Sequence, residues 1–114
     1  MSHDAWLAMN TGAGEEVAVA EIGNYTRNVS PMWRKAMAAA AGKPMAIQDT
    51  DGWLAAAAQP VFAKAAEHMS AHAGEYLPLN PENKWGNYEG ALEFMRACAD
   101  TCAKHPKATV RWSV

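Results

Sequence analysis

The stretch "GNYTRNVSPMWRK", Gly23–Lys35, decides the fold. Ahead of it, "VAVAEI" (Val17–Ile22) places β-branched residues at alternate positions, the period of a strand. Asn24, Thr26, Asn28 and Ser30 continue that alternation with polar side chains. Ser30 then has the chemistry of a helix N-cap, and Pro31 that of a first helical residue, whose missing N–H costs nothing there. A strand that feeds directly into a helix predicts an α+β domain with a polar turn at the junction.

Downstream, an Ala-rich helix ends near Gly42-Lys43-Pro44. A second helix is expected from "DTDGW", capped by Thr50 or Asp51, because Leu54, Ala58, Val61 or Phe62, Ala65 and Met69 recur at helical spacing. Pro60 lies inside that pattern and is expected to kink or divide it, and Gly74 to end it. The loop "EYLPLNPENKWGN" has no periodicity. Tyr88, Leu92, Met95, Ala99 and Cys102 then line one side of a third helix, and "ATVRWSV" reads as a half-buried closing strand. Two strands alone are marginal, so a third is expected from Trp6–Met9 or Pro44–Ile47. These elements predict one domain over residues 1–114. It is small and helix-rich, with N- and C-terminal strands in a small sheet and about three helices packed on it. The closing strand is apolar on one face, so a homodimer could complete the sheet through its edge.

The chain has 114 residues, 50% of them hydrophobic and 19% charged, enough apolar material for an ordinary core. A net charge of -2 argues against a nucleic-acid coat, which needs surplus Lys and Arg to neutralise phosphates. No apolar run approaches the about 20 residues that span a bilayer, so no membrane partner is expected. The start of the chain lacks the basic-then-apolar pattern of a secretory signal, which makes the cytoplasm the expected compartment. There, Asn24-Tyr25-Thr26 and Asn28-Val29-Ser30 carry no glycan, and Cys98 and Cys102 read as small buried hydrophobes rather than half a metal site.

The polar turn is the leading candidate site. A helix N-terminus leaves up to four backbone N–H groups without helical partners, and its dipole favours anions. Around it stand hydroxyls from Thr26 and Ser30, amides from Asn24 and Asn28, cations from Arg27, Arg34 and Lys35, and the rings of Tyr25 and Trp33. "LNPENKWGNYEGA" repeats the mixture before the third helix with Asn80, Asn83, Trp85, Asn87 and Tyr88. There Asn87 can cap, and Gly90 permits close approach of another group. The plainer alternative makes both turns caps: Ser30 capping, Asn28 bonding backbone, Met32 and Trp33 in the core, and Trp85 a hydrophobic anchor. Both turns sit at helix N-termini, so both could border one cleft.

"NYTRNVSPMWRKA", "NPENKWGNYEGALEFM" and the closing "HPKATVRWS" resemble a group of small phage and actinobacterial proteins. Its members pair an N-x-T-x-N-V-S-P-M-aromatic segment with a W-G-N-Y-x-G-A-x-x-F segment. The match covers roughly half the chain. The resemblance implies a phage or prophage origin and points to the same positions, but implies no activity.

Other signals are weaker. "MAIQDTDGW" resembles the D-x-D-G-T nucleophile loop of haloacid-dehalogenase-like phosphatases, but Trp53 stands where that family has Thr and the chain is too short for the fold. His68 and His72, one turn apart, could share a metal, yet no third ligand is in view, and a surface or half-buried His pair is the plainer reading. The motif turns offer amides, hydroxyls and rings, which recognise but are poor acids and bases at neutral pH. The expected function is therefore a non-enzymatic binding protein without a cofactor. It would hold a small polar ligand, such as a nucleotide, through Asn24, Tyr25, Thr26, Asn28, Ser30, Trp33, Arg34, Asn83, Trp85, Asn87 and Tyr88. The alternative is a protein-interaction module, such as an inhibitor of a host factor, using Trp33, Trp85 and Tyr88 as anchors. A small metal-dependent enzyme using His68 and His72 is a third reading.

Overall fold

A computed structural model describes residues 2–114. Its elements are β1 (Ser2–Asn10), β2 (Glu16–Thr26), a 3-10 turn (Arg27–Val29), α1 (Ser30–Ala41) and a second 3-10 turn (Ile47–Thr50). Then come α2 (Ala55–Ala71), the short α3 (Ala73–Tyr76), a third 3-10 turn (Leu77–Leu79), α4 (Tyr88–Lys104) and β3 (Thr109–Ser113). The sheet is antiparallel in the order β2-β1-β3.

The third strand is the N-terminal one, and it is central. β1 includes the expected Trp6–Met9 and runs well beyond it, whereas Pro44–Ile47 forms no strand. β1 directs His3, Ala5 and Leu7 into the interior, where they meet the core from α1, α2 and α4. Asp4 and Trp6 take the opposite face, across from Asn24 and Glu21 of β2. β2 does run on through the Asn/Thr positions to Thr26. It carries two register shifts, which leave Val19 and Ile22 without partners on β1. α4 packs on β2 and α2, and α2 packs on α1. Four helices thus accompany the sheet, one of them a single turn.

Several junctions differ from expectation. Ser30 lies inside α1, whose N-cap is Val29 with no side-chain cap; the capping hydroxyl is Thr26, which serves the preceding 3-10 turn. Gly42 ends α1 in the left-handed conformation, as expected. Thr50 and Asp51 do not cap α2, which begins at Ala55. They serve β3 instead: Asp51 accepts from the Trp112 backbone at 3.0 Å, and Thr50 Oγ1 accepts from the Trp112 indole at 2.8 Å. Gly52 and Trp53 add backbone bonds to Val110, and Leu54 bridges to Thr109. The outer edge of β3 is therefore covered from within the chain, which corrects the expectation of a free edge there. The free edge belongs to β2. Pro60 is exposed and leaves α2 undivided through Ala71, and Gly74 lies beyond its end in α3.

Candidate functional site

The two motif turns meet, and Tyr25 joins them. Near the end of β2 its ring lies 6.1 Å from Trp33 and 6.3 Å from Phe94, between the sheet and α4. Its hydroxyl accepts the Asn87 backbone N–H at 3.1 Å. A methyl at Gly90 would overlap that hydroxyl, and one at Gly86 would overlap the Thr26 side chain and press on Val29. Both glycines of "WGNYEGA" are thus places where one turn enters the other. Gly86 also has a positive φ of 90°. The space where a shared cleft was expected is filled by Tyr25.

The polar groups of the first turn are satisfied locally. Thr26 Oγ1 accepts from the Asn28 amide side chain at 2.8 Å and from its backbone at 3.4 Å. Ser30 Oγ donates to the Arg27 carbonyl at 2.6 Å. Asn24 lies across the sheet from Asp4 and donates to Ser2 Oγ at 2.9 Å and to the Asp4 carboxylate. Arg34 is exposed, and Lys35 pairs with Glu75 at 3.3 Å.

In the second turn, Asn80 Oδ1 accepts from the Tyr88 N–H at 2.9 Å, Asn83 Oδ1 from Trp85 N–H at 3.0 Å, and Asn87 Oδ1 from Gly90 N–H at 2.8 Å. Asn87 is the cap the sequence suggested. The rings divide. Trp33 is fully buried and donates its indole N–H to the Ala91 carbonyl at 3.1 Å. Tyr88 is buried and donates its hydroxyl to the Met69 carbonyl at 2.6 Å. Neither is available to stack on a ligand, because each fills core volume and closes an internal hydrogen bond. Trp85 is the reverse case, 67% exposed.

Beside Trp85, the residues Asn80, Pro81, Lys84, Gly86 and Asn87 line a shallow depression of about 290 Å³. Lys84 has a φ of 62°, a left-handed conformation that non-glycine residues seldom adopt. Gly86 could have been suspected from the paired motifs. Nothing local in the sequence marks the strain at Lys84.

His68 and His72 have ring centroids 4.2 Å apart, and the Nδ1 of each is bonded to another side chain. A 2.6 Å hydrogen bond joins His68 Nδ1 to the Tyr76 hydroxyl, and His72 Nδ1 meets Glu75 at 3.1 Å. Tyr76 is fully buried, and burial pushes its hydroxyl up to about 12. Among the described residues no three His, Cys, Asp or Glu side chains gather as a metal site. Asp49 accepts from the Ala46 N–H at 2.9 Å, so the aspartates of "DTDGW" bond backbone. Cys98 and Cys102 are free and buried, with burial holding both thiols neutral, Cys102 at about 11. Among the described residues, no helix is long and apolar enough to cross a membrane. Comparison of the chain with protein-family models, curated proteins and solved structures finds no match.

Proposed function

We propose that this chain works by binding another protein, with the Trp85 loop as its anchor. The observation that carries this reading is the exposure of Trp85, the highest of the large apolar side chains among the described residues, on a loop held from several sides. Asn83 fixes the Trp85 backbone, Gly86 is wedged against Thr26, and Tyr25 holds Asn87. A tryptophan presented from a fixed loop loses little freedom on binding, and such residues dominate interface energies. Asn83, Asn87 and Tyr25 hold the backbone of the second turn, while Asn24, Thr26, Asn28 and Ser30 bond within the first turn and to β1. A host factor met inside a phage-infected cell, in its cytoplasm, is the partner class that fits the motif resemblance.

One observation favours a second reading, a small polar ligand beside Trp85. The depression there has Lys84 and two asparagine side chains at its rim. One set of experiments separates the readings. Affinity isolation with the parent protein and with Trp85→Ala should recover a partner that the variant loses, with unchanged melting temperature. No loss with Trp85→Ala would contradict the anchor. Stabilisation by a mononucleotide that disappears with Lys84→Ala would favour the ligand.

A further inference from the structure

Away from the helices, the outer face of the sheet has no other element packed on it among the described residues. A groove of about 560 Å³ runs there between β1 and β2, lined by Asp4, Trp6, Ala18, Val19, Ala20 and Glu21, among others. The register shifts that leave Val19 and Ile22 unpaired fall along the same two strands. Trp6 is half-buried at its wall, and Val19 is 40% exposed.

The two charged residues that line the groove, Asp4 and Glu21, are both acidic. Residues 1–26 carry Asp4, Glu15, Glu16 and Glu21 and no Lys or Arg, while the remaining residues carry a net charge of +2. Arg111 stands on the same face as Trp6. It donates to both Glu16 carboxylate oxygens at 2.8 and 2.7 Å, so its charge is neutralised by β2 itself. Among the described residues, neither Asp4 nor Glu21 forms an ion pair with a cationic side chain.

We propose that this groove docks an extended, Lys/Arg-bearing segment of a partner protein, with the aliphatic stem of a basic residue on Ala18–Ala20 and its cation between the Trp6 ring and the Glu21 carboxylate. Long cationic side chains cover apolar surface with their stems while their heads seek carboxylates and indole faces. The shifts at Val19 and Ile22 break the regular ladder of β2. The groove therefore selects side chains, and a continuous added strand is disfavoured. This surface is separate from the Trp85 loop and does not depend on it.

The test uses a fluorescein-labelled peptide of alternating Arg and Val, with an alternating Glu and Val peptide as control. Anisotropy should show saturable binding of the first only, weakening as salt rises. In amide-proton NMR, the Trp6 indole and the Ala18–Glu21 amides should shift. Glu21→Lys, an exposed change that leaves the core untouched, should weaken binding at least about tenfold, with Glu21→Gln intermediate. Trp85→Ala should bind like the parent, so failure of the Trp85 reading and failure of this one are distinguishable. Equal binding of both peptides, absence of binding, shifts confined to the Trp85 loop, or parent affinity in both Glu21 variants would overturn the proposal. So would dimerisation of the peptide-free protein through Ala18–Glu21, which would make a second copy the occupant.

Discussion

Gly74 and Gly90 should respond oppositely to the same added methyl. Gly74 is exposed in α3, its added Cβ would meet nothing within 4 Å, and its φ is not positive. Gly74→Ala should raise the unfolding free energy by about 0.4–1 kcal/mol, through lower entropy of the unfolded chain. Gly90→Ala drives a methyl into the Tyr25 hydroxyl and should lower it by about 1–3 kcal/mol. Urea unfolding of the two variants checks both signs. His3 gives a pH-dependent counterpart. It is 2% exposed, with its ring edge-on to Trp33 and Trp112, and among the described residues neither ring nitrogen has a hydrogen-bond partner of normal geometry. Burial lowers its pKa, assisted by Arg27 and partly opposed by Gln48. The unfolded chain therefore binds the proton more readily. Stability from this group is complete above the ordinary value of 6.5 and is lost as pH falls below it. Thermal melts from about pH 7.5 to about pH 5 should show a smaller decline in His3→Phe than in the parent. An identical decline would mean that His3 is not buried neutral.

At the scale of elements, hydrogen bonds between segments distant in sequence fix the junctions. Thr50→Val removes the acceptor for the Trp112 indole and should cost about 1–3 kcal/mol, since that N–H would be left unpaired. Asn87→Ala removes the cap of α4 and should cost about 1 kcal/mol by denaturant unfolding. Only the second of these was legible in the sequence. Asn87 precedes an amphipathic run and bonds Gly90, so the signal and the bond are local. Thr50 and Asp51 also precede a helical pattern and show the same signal, yet their partner is Trp112, 62 and 61 residues away. Local pattern cannot reveal a bond of that span. The same limit applies to the rings. Trp33 and Trp85 both stand beside cations near a helix start, and only packing sends one to the core and the other to solvent. The strand-to-helix order around Gly23–Lys35, by contrast, needed only alternation and a proline, and the α+β architecture follows from it.

Over the whole molecule, two sets of residues separate. The core of β1, α1, α2 and α4 takes in Trp33 and Tyr88, and the motif turns close over it. Trp85 stands outside, so Trp85→Ala should change stability by no more than about 0.5 kcal/mol, the range of a surface substitution. The two motif turns form one interlocked unit, with Tyr25 in the place of a cleft. A double-mutant cycle on unfolding free energy between Tyr25→Phe and Gly90→Ala reads out that interlock. Removing the hydroxyl makes room for part of the methyl, so Gly90→Ala should be less destabilising in the Tyr25→Phe background by at least about 0.5 kcal/mol. Strictly additive losses would contradict the interlock: Tyr25 would then not lie against Gly90, and the two turns would stand apart around an open cleft.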